Sequence, residues 1–575
     1  MPVPVRTSLT CCFISFLVAA CHAPAKQASV PVDAYKYQPQ KKVMASNGAV
    51  VTAHPIASKV GLEILKLGGN AVDAAIATQL ALAVVYPAAG NLGGGGFLVA
   101  KLKNGVELAI DYREKAPGKA HADMYLDPDG TPRTDKSQYG HLSAGVPGTV
   151  AGLCESHRYA KLPFRVLIEP AIRLAENGFV ISRAEANSLN ALQEQFRRYN
   201  TQTPAFVRST AWKAGDTLVQ KDLAETLKRI RDKGKNGFYR GKTARLIVEE
   251  MKRGRGIISY KDLKNYRAVP RDPHSFEYKG HRVISMGMPS SGGVLLHQMM
   301  KMIEDRNLQA FGFHSPEAVH LMAEVERRAF ADRAEHMGDM DFYKVPVADI
   351  TNEDYLRERM SDFNPEKASI SSAIRAGSVA LRESQQTTHL SVVDKEGNAV
   401  AVTITLNNSY GSKTVVGGAG FLLNDEMDDF SIKPGVPNLY GAVGSRANAI
   451  EPGKRMLSSM TPTIVLKNGE PYIIVGTPGG TTIPTSVFQA LVNILEFGLS
   501  AEDAVYRPKF HHQWQPDVLT IEKAFPADVR AALEAKGHKI REVSAIGRTE
   551  LIVVHPGRRI EAIADIRGED SAEGY

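Results

Sequence analysis

At 575 residues, the chain is long enough for several average domains or for one large α/β unit. Its contents of 43% hydrophobic and 23% charged residues are ordinary for a soluble globular protein. The formal net charge of +8 is spread without a long basic run, so the charge gives little support to nucleic-acid binding.

The N-terminus has the pattern of a targeting segment. Arg6 precedes an apolar run over residues 9–20, which is too short to span a bilayer as a mature helix. The run ends in Val18-Ala-Ala-Cys21, which resembles the lipobox of bacterial lipoproteins. Residues 1–21 are therefore predicted to be a signal peptide with Cys21 as the lipidated residue, and an ordinary signal peptide cut nearby is the alternative. We expect a linker over residues 22–40 and a periplasmic location, with a lipid anchor to the outer membrane as the only membrane contact.

The cysteines predict a protein without disulfides. Two of the four belong to the signal segment, and lipidation of Cys21 leaves only Cys154. Because an exported protein meets an oxidising compartment, its stability must then come from the core.

The body before residue 387 is predicted to be mainly helical. Residues 58–67 form a helix that Gly68 and Gly69 stop, and Asn70 can cap a second apolar helix that ends before Pro87. Residues 163–335 also have a helical pattern, with the clearest amphipathic stretch over 317–334.

Neither a metal nor an organic cofactor is predicted. His320 and Glu324 are four residues apart on a helix face, but a third ligand is missing and a solvated helix explains them. The glycines at 93–96 are not followed by the lysine of a phosphate-binding loop, so a nucleotide is not expected.

After residue 387 the pattern predicts strands at 390–406, 462–467 and 471–476, and a polar tail at the C-terminus. The first of these segments is a hairpin, because β-branched runs flank the turn Asp394-Lys-Glu-Gly-Asn398. If Asp394 pairs with Asn398, the residue numbers of every pair across the hairpin sum to 792, and Thr405 lies opposite Thr387. A bulge would shift this register by one.

Thr387 is predicted to be a nucleophile that the chain itself uncovers. A threonine hydroxyl needs a nearby base, and its own α-amine, with a reference pKa of roughly 7.7–8.0, is an economical one. That amine is locked in an amide until the Thr387 Oγ attacks the preceding carbonyl, so we predict cleavage between Gln386 and Thr387. Residues 41–386 then form a large subunit and residues 387–575 a small one. The Thr405 hydroxyl would orient the nucleophile, although a β-former on a strand explains Thr405 equally.

Six motifs occur in a consistent order along the chain: Asn91–Phe97, Asp111–Pro117, Thr387-Thr388-His389, Leu423–Phe430, Pro452–Pro462 and Gly476–Gly480. From about residue 40 to the C-terminus, this set resembles the γ-glutamyltranspeptidases, which are N-terminal nucleophile hydrolases. The resemblance implies an α/β fold of the four-layer αββα sandwich type, whose large and small subunits form a heterodimer. It implies no metal and no organic cofactor.

A γ-glutamyl group carries an α-carboxylate and an α-ammonium, so its pocket needs a fixed cation and a fixed carboxylate. Taken singly, Arg113 would be part of a surface ion pair and residues 425–429 a solvated acidic turn. Ser458 and Ser459 would lie in a loop, and Pro478-Gly-Gly would be a tight turn. The resemblance assigns the carboxylate to Arg113 with Ser458 and Ser459, the ammonium to Asp429 with Glu426 and Asn407, the oxyanion to the amides of Gly479 and Gly480, and the closing lid over residues 433–441 to Tyr440.

The resemblance implies an exported γ-glutamyl hydrolase and transferase acting on glutathione-like compounds, with water, an amino acid or a dipeptide as acceptor. One alternative is an enzyme with the same catalytic residues that acts on a different acyl group, such as a β-lactam side-chain acylase or a poly-γ-glutamate depolymerase. The other is a non-enzymatic lipoprotein that binds peptides or amino acids and has no use for a cleavage site.

Overall fold

The computed structural model describes residues 31–374 and 387–575. The predicted signal peptide, Cys21 and Gln386 lie outside the described residues. The α-helices are α1 (Pro55–Lys66), α2 (Ala71–Val85), α3 (Thr134–Gln138), α4 (Thr149–Ser156), α5 (Phe164–Asn177), α6 (Arg183–Ala191), α7 (Gln193–Tyr199), α8 (Lys221–Lys233), α9 (Asn236–Tyr239), α10 (Gly241–Gly254), α11 (Tyr260–Asn265), α12 (Gly292–Ile303), α13 (Leu308–Phe311), α14 (Pro316–His336), α15 (Val347–Ile350), α16 (Glu353–Arg359), α17 (Thr482–Leu495), α18 (Ala501–Tyr506) and α19 (Ala527–Ala535).

The strands are β1 (Lys42–Ala45), β2 (Ala49–Thr52), β3 (Gly95–Lys101), β4 (Glu107–Asp111), β5 (Phe179–Val180), β6 (Thr217–Leu218), β7 (Val269–Arg271), β8 (His274–Tyr278), β9 (His281–Ser285), β10 (Thr388–Val393), β11 (Ala399–Thr405), β12 (Thr463–Lys467), β13 (Glu470–Gly476), β14 (Phe510–His511), β15 (Leu519–Glu522), β16 (Ile540–Val543), β17 (Glu550–Val554), β18 (Ile560–Ile563) and β19 (Ser571–Gly574).

Two seven-stranded sheets form the centre of the molecule. Their strand orders are β1-β18-β17-β13-β12-β9-β8 and β19-β2-β10-β11-β3-β4-β7. Side chains from both sheets, such as Phe97 and Ala401 of one and Ile464 and Ile552 of the other, share a single apolar cluster between them. The opposite face of each sheet packs against its own layer of helices, α1, α2 and α5 on one side and α12, α14 and α17 on the other. The fold is therefore the expected αββα sandwich.

Local signals explain the first two helices. Pro55 begins α1 at a position where a missing N–H is harmless, and Gly68 follows its end with φ +94°. Asn70 and Asp73 cap α2 reciprocally, because each side chain accepts a hydrogen bond from the other residue's backbone N–H. Both predicted helices are confirmed.

The predicted hairpin has the predicted register. Thr388 pairs with Ile404 and Val393 with Ala399, so every pair in the β10–β11 ladder sums to 792. The Asp394 N–H donates to the Asn398 carbonyl, and Gly397 in the turn has φ +94°. Continuing the ladder by one pair brings Thr405 opposite Thr387.

The expected division into helical sequence before residue 387 and strands after it is wrong in detail. Strands β1 to β9 all come from the earlier part. The stretch over 163–335 is mainly helical as predicted, because it contains α5 to α13 and most of α14, but β5 to β9 interrupt it. The polar C-terminal tail is also a strand, since β19 pairs antiparallel with β2 and fills a sheet edge. The strand could not be recognised from its polar side chains, because backbone hydrogen bonds to β2 hold it in place.

Both sheets combine strands from before and after residue 387. In particular, the hairpin β10–β11 lies between β2 and β3, with ladders on either side. The two predicted subunits thus share their sheets and form one structural unit.

Candidate active site

A small pocket, with about 320 Å³ of empty space, lies beside the open end of the β10–β11 hairpin. Thr387 and Thr405 both line it, as the register requires, and each is only 3% exposed. The lining residues are Arg113, Arg333, Thr387, Thr405, Asn407, Asp429, Asn438, Tyr440, Ser458, Ser459, Met460, Gly480, Thr481 and Ile483.

The Thr405 hydroxyl is oriented by the backbone. Its Oγ accepts a hydrogen bond from the Asn407 N–H at 2.7 Å, within a turn where Asn407 has φ +74°. Because the Thr405 oxygen already accepts this hydrogen bond, its proton is available for donation into the pocket. This geometry suits the predicted orienting role.

His389 is two residues from the nucleophile, but both of its ring nitrogens are occupied. They contact the hydroxyls of Thr403 at 2.9 Å and Ser391 at 3.1 Å, and burial lowers the pKa of His389 to about 3. A neutral imidazole held on both sides is not placed to take a proton from Thr387. The α-amine that cleavage would release is the better base.

The charged end of the pocket is built on Arg113. Its Nη1 lies 2.6 Å from Glu426 Oε2 and its Nη2 lies 2.5 Å from Asp429 Oδ2, while its Nε donates to the Met456 carbonyl. Arg113 is buried, not the surface ion pair that its sequence context alone would suggest. Glu426 is buried behind the guanidinium and does not line the pocket, whereas Asp429 does. The pocket therefore offers the fixed cation and fixed carboxylate that a glutamyl group requires.

Both serines of the pair line the pocket and lie on the segment leading to β12. Ser458 accepts from the Met460 N–H at 3.1 Å, and Ser459 accepts from Arg333 Nη2 at 3.2 Å. Arg333, in the last turn of α14, was not predicted as a site residue. Its position in an amphipathic helical pattern gave no signal that it faces a pocket.

Gly479 and Gly480 occupy backbone conformations that suit glycine, with φ +142° and +56°. Among the hydrogen bonds of the described residues, neither glycine's N–H is a donor, although both carbonyls accept from α17. Gly480 lines the pocket, and a Cβ there would lie 2.4 Å from the Tyr440 ring. An amide that makes no hydrogen bond within the protein is what an oxyanion site requires, and of the two glycines Gly480 is the one that lines the pocket with Thr387.

The segment over residues 433–441 is a loop, as predicted, and it contributes Asn438 and Tyr440 to the lining of the pocket. The Tyr440 hydroxyl donates to the Asn407 carbonyl, and the Tyr440 ring packs on Gly480. Asn438, which the sequence analysis did not single out, donates to Asp429 Oδ1 at 2.9 Å. The lid is thus tied to the carboxylate proposed for the ammonium.

The interpretation of His320 and Glu324 as part of a solvated helix face is wrong, because both are buried. His538 supplies the third group of the cluster, with its Nε2 2.8 Å from His320 Nδ1. Glu324 is already held by Arg327 and Arg328, at 3.1 and 2.5 Å. Two guanidinium partners oppose a divalent cation at this carboxylate, so the cluster is better described as a buried polar network.

The fold and the pocket together define an N-terminal nucleophile hydrolase: an αββα sandwich with Thr387 immediately before a central strand and Gly480 in the same pocket. The family model described as Gamma-glutamyltranspeptidase matches residues 57–575. The chain therefore belongs to the γ-glutamyltranspeptidase family, and it is an enzyme.

Three relatives illustrate this membership. The "Glutathione hydrolase proenzyme" of Escherichia coli (strain K12) is 46% identical over 97% of this chain and 96% of its own. The crystal structure of cephalosporin acylase from Bacillus halodurans superposes with a TM-score of 0.81 at 26% identity, covering 95% of this chain and 99% of that one. The Helicobacter pylori γ-glutamyltranspeptidase structure has a TM-score of 0.55 at 44% identity, covering 56% of this chain and 93% of that one.

Proposed function

We propose that the protein cleaves the γ-glutamyl amide of glutathione and related compounds and passes the glutamyl group to water or to an acceptor amine. One observation carries the proposal: Thr387 shares a pocket with the Arg113 guanidinium and the Asp429 carboxylate. A ligand with a carboxylate and an ammonium on one carbon, and an acyl carbon separated from it by two methylene groups, matches that arrangement of charges.

Maturation comes first. The Thr387 Oγ attacks the carbonyl carbon of Gln386, the peptide C–N bond breaks, and the acyl group moves from nitrogen to oxygen. Water then hydrolyses this ester, which releases Gln386 as a carboxylate and Thr387 with a free α-amine.

In the second reaction the Thr387 Oγ attacks the γ-carbonyl, and the freed amine takes the hydroxyl proton. The amides of Gly479 and Gly480 stabilise the oxyanion, a contribution of about 3–4 kcal/mol for each donor in comparable sites. The proton passes to the leaving amine as the C–N bond breaks, leaving glutamate esterified to Thr387. Water or an acceptor amine then attacks the ester and regenerates the hydroxyl.

A glutaryl or β-lactam side-chain acylase is the second candidate, which the close superposition with the cephalosporin acylase favours. A glutaryl group lacks the ammonium, so it would leave Asp429 without a ligand partner. Comparing turnover of γ-glutamyl anilide and glutaryl anilide separates the two: a higher kcat/KM for glutaryl anilide would make acylase the correct function.

Processing is tested on a denaturing gel and by N-terminal sequencing of the shorter fragment. That fragment should begin at Thr387 and contain 189 residues, since 575 − 387 + 1 = 189. Thr387→Ala should remain a single chain. An intact chain in fully active wild-type protein, or normal processing of Thr387→Ala, would contradict the mechanism.

We also propose that the protein is exported and anchored through Cys21. The apolar run before Val18-Ala-Ala-Cys21 supports this location. In the part of the chain that the structure describes, no helix is long and apolar enough to cross a membrane. Cys21→Ala should abolish labelling of the protein by a radioactive fatty acid, and unchanged labelling would reject the anchor.

A further inference from the structure

Arg333 is a second cation in the pocket, and it differs from Arg113 in its partners. Arg113 is paired with Glu426 and Asp429 and lies 3.6 Å from Glu114. Arg333 makes no ion pair with any carboxylate of the described residues, although it is only 7% exposed. Burying a guanidinium without a carboxylate partner costs free energy, so an anionic ligand bound next to Arg333 would be stabilising.

The contacts of Arg333 are two serine hydroxyls from different segments, Ser291 at the start of α12 and Ser459 before β12. Its Nε donates to Ser291 Oγ at 3.1 Å and its Nη2 donates to Ser459 Oγ at 3.2 Å. No hydrogen bond within the described part of the chain involves its Nη1. The guanidinium thus fixes two hydroxyls and keeps further donors for a ligand.

These contacts set the direction in which the hydroxyls donate. A hydroxyl that accepts from a guanidinium turns its own proton elsewhere, and Ser291 shows this because it donates to the Ser458 carbonyl at 2.7 Å. Ser459 accepts from Arg333 in the same way and lines the pocket. No hydrogen bond among the described residues takes up its proton, which is available to an anion in the pocket.

The charge of Arg333 is maintained at neutral pH. Burial lowers its pKa to about 10, Asp429 opposes this shift, and the neighbouring Arg113 adds to it. The pocket therefore contains one cation that is ion-paired with carboxylates and one that makes no ion pair among the described residues. An incoming ligand with a carboxylate would supply the missing negative charge.

We propose that Arg333 is a positioning and specificity-determining residue for the α-carboxylate of the donor, which it favours by orienting the Ser459 hydroxyl and by adding a second positive charge. The inference rests on the proposed γ-glutamyl activity and deepens it. In this role Arg333 acts on the choice of donor and not on the chemical step.

The test compares two donors that differ by one group. γ-Glutamyl anilide carries the α-carboxylate, whereas γ-aminobutyryl anilide keeps the amine and lacks the carboxylate. In Arg333→Met, KM for γ-glutamyl anilide should rise roughly 10- to 100-fold with kcat changed less than about 3-fold, because a carboxylate remote from the reaction binds equally in ground and transition states. For γ-aminobutyryl anilide both constants should stay within about 3-fold of wild type.

Two further variants guard against a purely structural effect. Arg328→Met removes another buried cation from the same helix, away from the pocket, and should leave the ratio of kcat/KM for the two donors unchanged. Arg333→Lys keeps the charge without the planar fork, so it should lose less selectivity than Arg333→Met. Calorimetric binding of L-glutamate and of γ-aminobutyrate to the processed proteins gives the same comparison where turnover is slow.

The outcomes are separable. An equal loss for both donors in Arg333→Met, or no change for either, would overturn the inference. If Arg333→Met is not processed, Arg333→Lys decides: a KM rise confined to γ-glutamyl anilide supports the role, and parallel changes overturn it. If the wild-type enzyme does not turn over γ-glutamyl anilide, the proposed function itself is refuted.

Discussion

Gly480→Ala tests the oxyanion assignment directly. At φ +56°, an alanine costs about 1–2 kcal/mol in backbone strain. Its Cβ would lie 2.4 Å from Cδ1 of Tyr440, too close for any real contact, so either the lid or the Gly480 amide must move. Loss of an oxyanion donor lowers kcat by about 10²–10³, or roughly 3–4 kcal/mol in the barrier. We expect a fall of that size in kcat for γ-glutamyl anilide.

The matched control is Gly469→Ala, in the β12–β13 turn. Gly469 has φ +80° and no atom within 4 Å of an added Cβ, so the variant experiences the strain without the collision. Urea unfolding should show a loss of stability for both variants, larger for Gly480→Ala because of the collision, while steady-state assays show a rate defect only for Gly480→Ala. A kcat for Gly480→Ala within about 3-fold of wild type would refute the assignment.

Two further predictions concern Thr405 and Glu114. Thr405→Val keeps the β-branched shape but removes the hydroxyl, so self-cleavage and acylation, followed on gels and in single turnovers, should slow by roughly 10- to 100-fold. The control Thr403→Val, on the same face of β11, should not slow either step; equal effects would exclude an orienting role. Burial raises the pKa of Glu114 to about 8, so its protonated form is favoured in the folded state. The wild type should therefore lose stability relative to Glu114→Gln as pH rises from about 5 to about 8, by at most about 1.4 kcal/mol per pH unit. Urea midpoints at several pH values measure the difference, and a pH-independent gap would contradict it.

The hairpin could be predicted in register because two local rules coincide there. Strand side chains alternate with a period of two, and the turn Asp394–Asn398 fixes which residues pair. From that register alone, Thr405 followed from Thr387. The helix caps at Pro55 and Asn70 were predictable for the same reason, since each depends on neighbours a few residues away.

Features set by distant contacts could not be predicted. Residues Ala318–Arg333 of α14 are all buried, so the helix lacks the solvent-facing side that its charged residues suggest. Those charges are balanced by groups from other elements: Arg327 meets Asp517, and His320 meets His538, 218 residues away. The position of Arg333 in the pocket depends in the same way on its contact with Ser459, 126 residues later in the chain.

The sharing of strands across residue 387 has a consequence for how the mature enzyme comes apart. Cutting one peptide bond removes no ladder hydrogen bond, yet withdrawing the shorter piece would strip β2 and β3 of their central neighbours and leave long bare edges that invite aggregation. Continuity of the polypeptide thus serves assembly and becomes dispensable afterwards. Denaturant should release the two pieces in a single cooperative transition, and pieces from different molecules should not exchange while folded.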